Sequence, residues 1–333
     1  MEKSRNPVFS LILTVISVVV SLVLAEGFLR FKNSGTRNYD IEMWRYANGL
    51  KIRSEDPAID FVHTKSVSAV LQSTEIRLNR LGLRGPDPAS VQPGERRILF
   101  LGGSITLGWG VAEENTVEAR LEKMLTAAGV NARVLNGGVG NYNAERYVSR
   151  FFKELTETNP TDIVVHYFLR DAEDLAAGSR NVLLRHSQLA VTLWIVYHRL
   201  KDPVGETSLV EHYRNVYRPT APGFLKMKAS LKRLAEYARP RGIRIYLAMT
   251  PDVHNLVGYK LGFVHELMRE VAIEDGYTYV DLLPPMLGRT PEEMFAMLGD
   301  PHPNSLGHEL MAKAICPVLI NGTSAARNGT PAH

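Results

Sequence analysis

The chain has 333 residues, of which 45% are hydrophobic and 22% are charged, as in globular proteins of one large or two ordinary domains. The net charge of +4 is small for this length and the Lys and Arg residues are scattered, which argues against a nucleic-acid-binding protein. The single cysteine, Cys316, lies in an apolar run and excludes an intramolecular disulfide.

The first predicted element is a membrane-spanning helix over residues 7–25, PVFSLILTVISVVVSLVLA, which carry no charge. A helix of this length extends about 28 Å, close to the ~30 Å hydrocarbon core of a bilayer. Lys3 and Arg5 precede the run, so residues 1–6 are predicted to be cytoplasmic. Basic residues also follow it, so the charge count alone does not fix the orientation. A cleavable signal peptide ending at Ala25 is the alternative, although the apolar run is long for one.

Residues 26–94 are irregular in composition and are predicted to form a stalk that packs on the main domain or leads into it. Over residues 95–322, strands alternate with helices. The predicted strands are 97–101, 133–135, 162–167, 243–249 and 277–282. The predicted helices are 117–128, 147–155, 224–238, 264–272 and 306–319. This alternation predicts an α/β domain with a five-stranded parallel sheet covered on both faces, followed by a disordered tail at 323–333.

An apolar stretch at residues 181–200, NVLLRHSQLAVTLWIVYHRL, interrupts the alternation between the third and fourth predicted strands. It is predicted to be helical. Two interpretations stay open: a helix packed on the sheet, and a lid or membrane-surface helix for which Trp194 and Tyr197 are suited.

The first predicted strand ends in Gly102, Gly103 and Ser104. Ligands of parallel α/β sheets bind beyond the carboxyl ends of the strands, so a serine at this place is a candidate catalytic residue. The glycines permit a sharp turn that exposes the hydroxyl and the backbone N–H of Ser104. Because serine is a weak nucleophile, it needs a base to take its proton.

A candidate base follows near the C-terminus, where Asp300 and His302 are two residues apart directly before the last predicted helix. The flanking prolines stiffen the backbone around the histidine. Asp300 can bind one imidazole nitrogen and leave the other for Ser104, which is the relay of nucleophilic acyl transfer. Residues 136–141 (NGGVGN) and 168–171 (FLRD) follow two further strands, and their backbone and side-chain N–H groups are candidates to hold an oxyanion.

Together, these segments resemble the four sequence blocks of the SGNH/GDSL hydrolase superfamily, in order and at plausible spacing. The blocks are GGSIT at 102–106, NGGVGNYN at 136–143, FLRD at 168–171 and DPHPNSLGH at 300–308. The resemblance covers about residues 95–320. It implies a flavodoxin-like three-layer α/β/α fold, with Ser104, Asp300 and His302 as the catalytic residues and no cofactor.

The same resemblance implies an oxyanion hole made by the N–H of Ser104, a backbone N–H from Gly140 or Asn141, and a side chain at position 170. Two positions depart from the family pattern. Gly103 replaces an aspartate that has a mainly supporting role in the family, next to the nucleophilic serine. Arg170 stands where an asparagine is usual. Arginine also donates hydrogen bonds, so it can serve the oxyanion or bind an anionic sugar, and the third alternative is that it points away and leaves two donors. The loss of one oxyanion donor costs about 3 kcal/mol of transition-state stabilisation.

The N-terminal segment, LNRLGLRGP at 78–86 and DAED at 171–174 further resemble membrane-anchored bacterial members, several of which act near cell-surface or exported polysaccharides. The resemblance therefore predicts an esterase or O-acetyltransferase for an acylated small molecule, carbohydrate or envelope polysaccharide. It predicts a single-pass protein of the inner membrane whose catalytic domain faces the periplasm or cell exterior. The alternative is a catalytically weak or inactive polysaccharide-binding or assembly component.

Two other kinds of site are disfavoured by the residues. The glycine loop at 136–141 lacks the third glycine of a dinucleotide-binding turn, and no Gly-Lys-Ser/Thr follows Gly103 as in a phosphate loop. Asp300, His302 and His308 could ligate a metal, but no other strand end supplies a convincing partner, and His308 falls in the first turn of a helix. No metal is predicted, and the sequence names no protein partner.

Overall fold

A computed structural model describes residues 7–35, 38–178, 181–201, 206–297 and 300–327. The chain forms two compact units. The described residues of 1–48 and 178–204 make the first, and those of 49–177 and 205–333 make the second.

Eleven strands lie in the described residues. In chain order they are β1 (Lys51–Arg53), β2 (Phe61–His63), β3 (Val67–Leu71), β4 (Thr74–Leu78), β5 (Arg96–Gly102), β6 (Ala132–Asn136), β7 (Asp162–Phe168), β8 (Arg244–Thr250), β9 (Thr278–Asp281), β10 (Phe295–Met297) and β11 (Asp300–Pro303). All of them belong to the second unit.

Twelve α-helices lie in the described residues. They are α1 (Pro7–Ser34), α2 (Tyr39–Gly49), α3 (Ser104–Leu107), α4 (Val117–Ala127), α5 (Ala144–Arg150), α6 (Val182–His186), α7 (Gln188–Lys201), α8 (Glu206–Val216), α9 (Pro222–Ala238), α10 (Gly262–Asp275), α11 (Pro291–Met294) and α12 (Ser305–Arg327). The helix predicted at 147–155 is divided, because α5 ends at Arg150 and a π-helical turn, Phe151–Leu155, follows it.

The predicted five-stranded parallel sheet is confirmed, with the strand order β6-β5-β7-β8-β9. Counted along the chain, this is the 2-1-3-4-5 order of flavodoxin-like folds. All seven residues of β5 are buried, as expected for a central parallel strand with helices on both faces.

Successive residues of β5 contribute to two separate hydrophobic cores. Leu99 and Leu101 belong to the core that contains residues of α5, α9 and α10. Ile98 and Phe100 belong to the core that contains residues of α4 and α12. Because side chains alternate across a strand, this division places one helical layer on each face and gives the three-layer α/β/α fold.

The described residues of the N-terminal extension from Gly49 onward belong to the same compact unit as the sheet, which corresponds to the packed form of the predicted stalk. Strands β1 and β2 form one antiparallel pair, and β3 and β4 form another. The buried guanidinium of Arg84 donates to the carbonyl oxygens of Leu107 and Gly108, both at 2.7 Å, and to that of Val111. These acceptors satisfy a buried charge, and they attach the extension to the segment that follows Ser104.

The first unit contains the predicted membrane-spanning segment. The helix α1 is longer than the predicted run, and it is long and apolar enough to cross a membrane, with none of its most apolar window buried. The helix predicted at 181–200 is divided at Ser187 into α6 and α7.

The predicted segments at the two ends are only partly described. The last helix continues beyond residue 322 to Arg327, so the first residues of the predicted disordered tail are helical. Residues 328–333 and residues 1–6 lie outside the described chain.

Candidate active site

Ser104 is the first residue of α3 and lies just beyond the carboxyl end of the central strand β5. Gly102 is required there, since a Cβ on it would collide with the hydroxyl of Thr106 and lie 2.7 Å from the carbonyl oxygen of His166. Gly103 is not required in this way, because a Cβ on it would make an ordinary 3.4 Å contact with the carbonyl oxygen of Tyr142. The turn therefore depends on the first glycine and tolerates a side chain at the second.

The structure brings the three predicted catalytic residues together. The Nε2 of His302 lies 2.7 Å from the Oγ of Ser104, across 198 positions of sequence. The Nδ1 of the same ring lies 2.5 Å from Oδ1 of Asp300, which also accepts the backbone N–H of His302 at 3.1 Å. Serine, imidazole and carboxylate thus form one continuous chain of hydrogen bonds.

Two side chains that the sequence analysis did not identify hold the other oxygen of Asp300. Its Oδ2 accepts the Nε2 of Gln72 at 2.8 Å and the indole N–H of Trp109 at 3.1 Å. Burial by itself raises the pKa of this carboxyl, but the hydrogen bonds from His302 and Gln72 outweigh burial and lower it below its usual value. Asp300 is therefore held as a carboxylate, the form that can stabilise an imidazolium.

The two residues that hold Oδ2 of Asp300 differ in how far the sequence indicated them. Trp109 lies five positions after Ser104, so its closeness to the candidate serine was visible in the sequence. Gln72 lies in the turn between β3 and β4, a segment predicted to be a stalk, and no local pattern indicated it.

The loop after β6 runs alongside the turn that carries Ser104. The N–H of Val139 donates to the carbonyl oxygen of Gly102 at 3.1 Å. Asn141 has a left-handed backbone with a φ of 64°, so the chain turns sharply at the predicted donor position. The N–H of Ser104 lies at the start of a helix, where backbone donors have no acceptor within the helix.

A buried lysine contacts this loop from the side of the N-terminal extension. The Nζ of Lys51, on β1, donates to the carbonyl oxygen of Gly140 at 2.5 Å. Burial, and then the nearby charge of Arg146, lower the pKa of Lys51 to about 7, with Asp60 opposing them. In a planar trans peptide the C=O and N–H point in opposite directions, so this bond directs the N–H of Asn141 away from Lys51. No sequence pattern indicated this residue.

Arg170 lies at the predicted strand end, in a short 3₁₀ turn after β7. Its side chain is half exposed, and its Nε pairs with Oε2 of Glu173 at 3.3 Å. The carboxyl group of the next residue, Asp171, is buried, which raises its pKa well above the usual value, and it accepts the backbone N–H of Phe168 at 3.1 Å. An oxyanion role for Arg170 stays a prediction.

Among the residues that the structure describes, no three His, Cys, Asp or Glu side chains converge in a way that could hold a metal ion. The buried His308 has a structural partner instead, because its Nδ1 accepts the N–H of Val117 at 3.1 Å, at the start of α4.

The family model of GDSL-like lipases and acylhydrolases matches residues 100–310, which is more than half of the chain. No curated protein sequence matches the chain significantly.

Several solved structures are similar in fold. A lipolytic protein of the G-D-S-L family from Desulfitobacterium hafniense DCB-2 is 17% identical, with a TM-score of 0.42, and the match covers 67% of this chain and 98% of that one. An acetylxylan esterase from Geobacillus stearothermophilus is 16% identical, with a TM-score of 0.43 and coverage of 66% and 92%. A gut microbial diltiazem-metabolizing enzyme is 20% identical, with a TM-score of 0.44 and coverage of 68% and 47%.

Proposed function

The chain belongs to the GDSL-like lipase/acylhydrolase family, and on that premise we propose that it cleaves acyl esters with Ser104 as the nucleophile. The observation that carries the proposal is the hydrogen-bonded chain from the Oγ of Ser104 through His302 to Asp300. It supplies the base that a serine needs and the carboxylate that orients the base.

In the proposed reaction, the Oγ of Ser104 attacks the acyl carbon while the Nε2 of His302 takes the hydroxyl proton. Asp300 stabilises the resulting imidazolium. Collapse of the tetrahedral intermediate breaks the ester C–O bond, and His302 returns the proton to the leaving alcohol. The product is an acyl-Ser104 intermediate, which a second hydroxyl group attacks with His302 again acting as base.

The negative oxygen of the tetrahedral intermediate requires donors that are already oriented. The N–H of Ser104 and the N–H of Asn141 or Gly140 are the proposed pair. Arg170 pairs with Glu173 through its Nε, and the proposed mechanism does not depend on it.

We further propose that α1 anchors the protein in the bacterial inner membrane, with the catalytic unit in the periplasm or outside the cell. The length and exposure of α1 support a membrane span, and a signal sequence would share those properties. The proposed substrate class is an acylated carbohydrate of the envelope or an exported polysaccharide, which follows from the resemblance to membrane-anchored members. A cysteine placed in the C-terminal segment and tested with a membrane-impermeant thiol reagent would report the side of the membrane.

The first experiment is turnover of p-nitrophenyl acetate by wild type and by Ser104→Ala. We expect release of p-nitrophenol to depend on Ser104 and to fall by at least about a thousandfold in the variant. Arg170→Asn is a useful companion, because it restores the usual family residue without touching the relay. Undiminished turnover in Ser104→Ala would refute the mechanism, and a folded wild type without turnover would favour the non-catalytic alternative or a transferase with its own donor.

Hydrolysis and acyl transfer share the acyl-Ser104 intermediate and differ only in the acceptor. Adding an acceptor sugar during turnover separates them. An O-acetylated sugar formed at the expense of free acetate identifies a transferase, whereas acetate release that is insensitive to the sugar identifies a hydrolase.

A further inference from the structure

The helix α7 exposes an apolar face. Four residues at the helical spacing i, i+3, i+4 and i+7 form it, with 47% to 79% of each side chain exposed: Leu193, Val196, Tyr197 and Leu200. This spacing normally marks the side of a helix that packs on a core. In α7, however, the buried residues Gln188 and Val191 lie elsewhere on the helix. An exposed apolar face of this kind indicates an interaction surface.

The start of α7 is fixed to α1 immediately after the uncharged run of α1 ends. The carboxylate of Glu26 accepts the backbone N–H groups of Gln188 at 3.0 Å and Leu189 at 2.9 Å, and the hydroxyl of Ser187 at 2.8 Å. Asn33 donates to the side-chain oxygen of Gln188 at 2.8 Å in a buried contact. Glu26 thereby caps the N-terminus of α7, where backbone donors lack acceptors and negative charge is favoured.

These contacts fix the depth in the membrane at which α7 begins, relative to the candidate membrane-spanning residues of α1. If residues 7–25 lie in the hydrocarbon core, Glu26 lies at its boundary with the headgroups, and α7 begins at the same boundary. The helix has 14 residues and extends about 21 Å, too short to cross the ~30 Å core. A short helix with an apolar face at this level is suited to lie on the bilayer rather than to span it.

The side chains around α7 match the chemistry of that boundary. Trp194 and Tyr197 are both exposed, and amphipathic aromatic rings are enriched at membrane interfaces. Arg30, Lys32 and Arg185 lie on the helices next to its start, where anionic headgroups would attract them. Arg30 also donates to the carbonyl oxygen of His186 at 2.7 Å.

We propose that α7 is a membrane-interface helix, whose face of Leu193, Val196, Tyr197 and Leu200 is buried in the headgroup–acyl boundary of the lipid bilayer. The inference rests on the proposed membrane span of α1 and is independent of the chemistry of Ser104. It assigns the protein a second lipid contact besides its anchor.

The test uses the full chain in vesicles of three parts phosphatidylcholine to one part phosphatidylglycerol. In a Cys316→Ser background, single spin labels are attached at Tyr197→Cys or Leu193→Cys. Val15→Cys on α1 and the exposed Glu211→Cys on α8 serve as the membrane and water references. Power saturation compares collisions with oxygen, which partitions into lipid, and with a water-soluble nickel chelate.

We expect the labels at 193 and 197 to collide several-fold more with oxygen, relative to nickel, than the label at 211. Their depth should be about 5–10 Å below the headgroups, shallower than the label at 15. Circular dichroism of each variant checks that the fold is retained.

Three results would overturn the proposal. In the first case, the label at 15 lies in lipid, but the labels at 193 and 197 are as accessible to nickel as the label at 211. This result would place α7 in water and leave the anchor intact. A label at 15 that is itself in water would remove the anchor on which the inference rests. In the third case, the labels at 193 and 197 are shielded from both reagents and show spin–spin broadening, which disappears on dilution with unlabelled protein. This result would identify a second copy of the chain as the partner that covers the apolar face of α7.

Discussion

Among the three residues of the proposed relay, Ser104, His302 and Asp300, the carboxylate of Asp300 is held by the largest number of hydrogen bonds. Its carboxylate is fully buried and accepts four hydrogen bonds, two from His302 and one each from Gln72 and Trp109. Charge-assisted bonds of this kind fix both the position and the ionisation of a buried carboxylate. The histidine is consequently held with one nitrogen toward Ser104.

Asp300→Asn should lower kcat about 10³- to 10⁴-fold, because an amide cannot stabilise the imidazolium and permits the wrong tautomer of His302. Trp109→Phe removes one donor and leaves the carboxylate, so its loss should be much smaller, about tenfold. Steady-state kinetics on p-nitrophenyl acetate measures both. An Asp300→Asn enzyme that retains more than a tenth of the wild-type kcat would contradict the role given to Asp300.

Lys51→Met should lower kcat about tenfold and leave KM nearly unchanged, because the bond to Gly140 orients the proposed oxyanion donor, which would act on the transition state. Since the pKa of Lys51 is about 7, the wild-type ammonium is present below that pH and lost above it. Because the neutral amine donates a weaker hydrogen bond to Gly140 than the ammonium does, wild type should show a partial decline in kcat above about pH 7 that is absent in Lys51→Met.

Lys51→Arg supplies the control for this prediction, because arginine stays charged across the pH range. It should recover part of the lost kcat and also lack the alkaline decline. If the decline persists in Lys51→Met, another group is responsible for it.

At the scale of elements, the connection from β5 to α3 determines where the proposed nucleophile, Ser104, lies. Strand β5 is central in the sheet, α3 begins two residues after it ends, and the β6 loop passes beside the same turn. The two adjacent glycines have different surroundings, which makes them a matched pair of test positions.

Gly102→Ala should destabilise the fold by about 1–3 kcal/mol or more, because the added methyl group overlaps Thr106 and the backbone of β7. It should also lower activity by displacing Ser104. Gly103→Ala meets only an ordinary contact and should change the free energy of unfolding by less than about 1 kcal/mol. Urea unfolding compares the two, and equal effects at both positions would mean that close packing does not explain Gly102.

At the scale of the whole molecule, one ionic cluster joins three neighbouring strands at the end of the sheet opposite Ser104. Asp162 on β7 is fully buried and pairs with Arg96 on β5 at 2.7 Å and with Arg244 on β8 at 2.8 Å. Burial alone raises the pKa of Asp162, but hydrogen bonds from Arg96 and Thr161 outweigh burial and lower it.

Asp162→Asn should lower the free energy of unfolding by about 3–5 kcal/mol at pH 7, because it leaves the buried guanidinium of Arg96 without this counter-charge. A carboxyl with a lowered folded-state pKa stabilises the fold above its unfolded pKa, and this stabilisation is lost as the pH falls through the folded pKa. The difference between wild type and variant should thus shrink below about pH 4. Glu274→Gln, which removes an exposed pair with Lys228, should cost no more than about 1 kcal/mol.

The sequence by itself determined the elements that depend on local periodicity and on chain order. The apolar runs and their spacing predicted the five parallel strands, the helices between them and the long apolar N-terminal helix. Short motifs at strand ends, read together, predicted that Ser104, Asp300 and His302 belong to one site. These inferences succeed because hydrophobic period and strand-end position are properties of neighbouring residues.

Only the tertiary structure decided the contacts between residues that are distant in sequence. Gln72 reaches Asp300 across 228 positions, and Lys51 reaches Gly140 across 89, both from a segment whose composition suggested a stalk. The exposed face of α7 has the same apolar pattern as a core helix, and only its packing on α1 shows which side remains uncovered. A buried polar group needs a partner, but the sequence does not say which one, because that choice depends on how the whole chain folds.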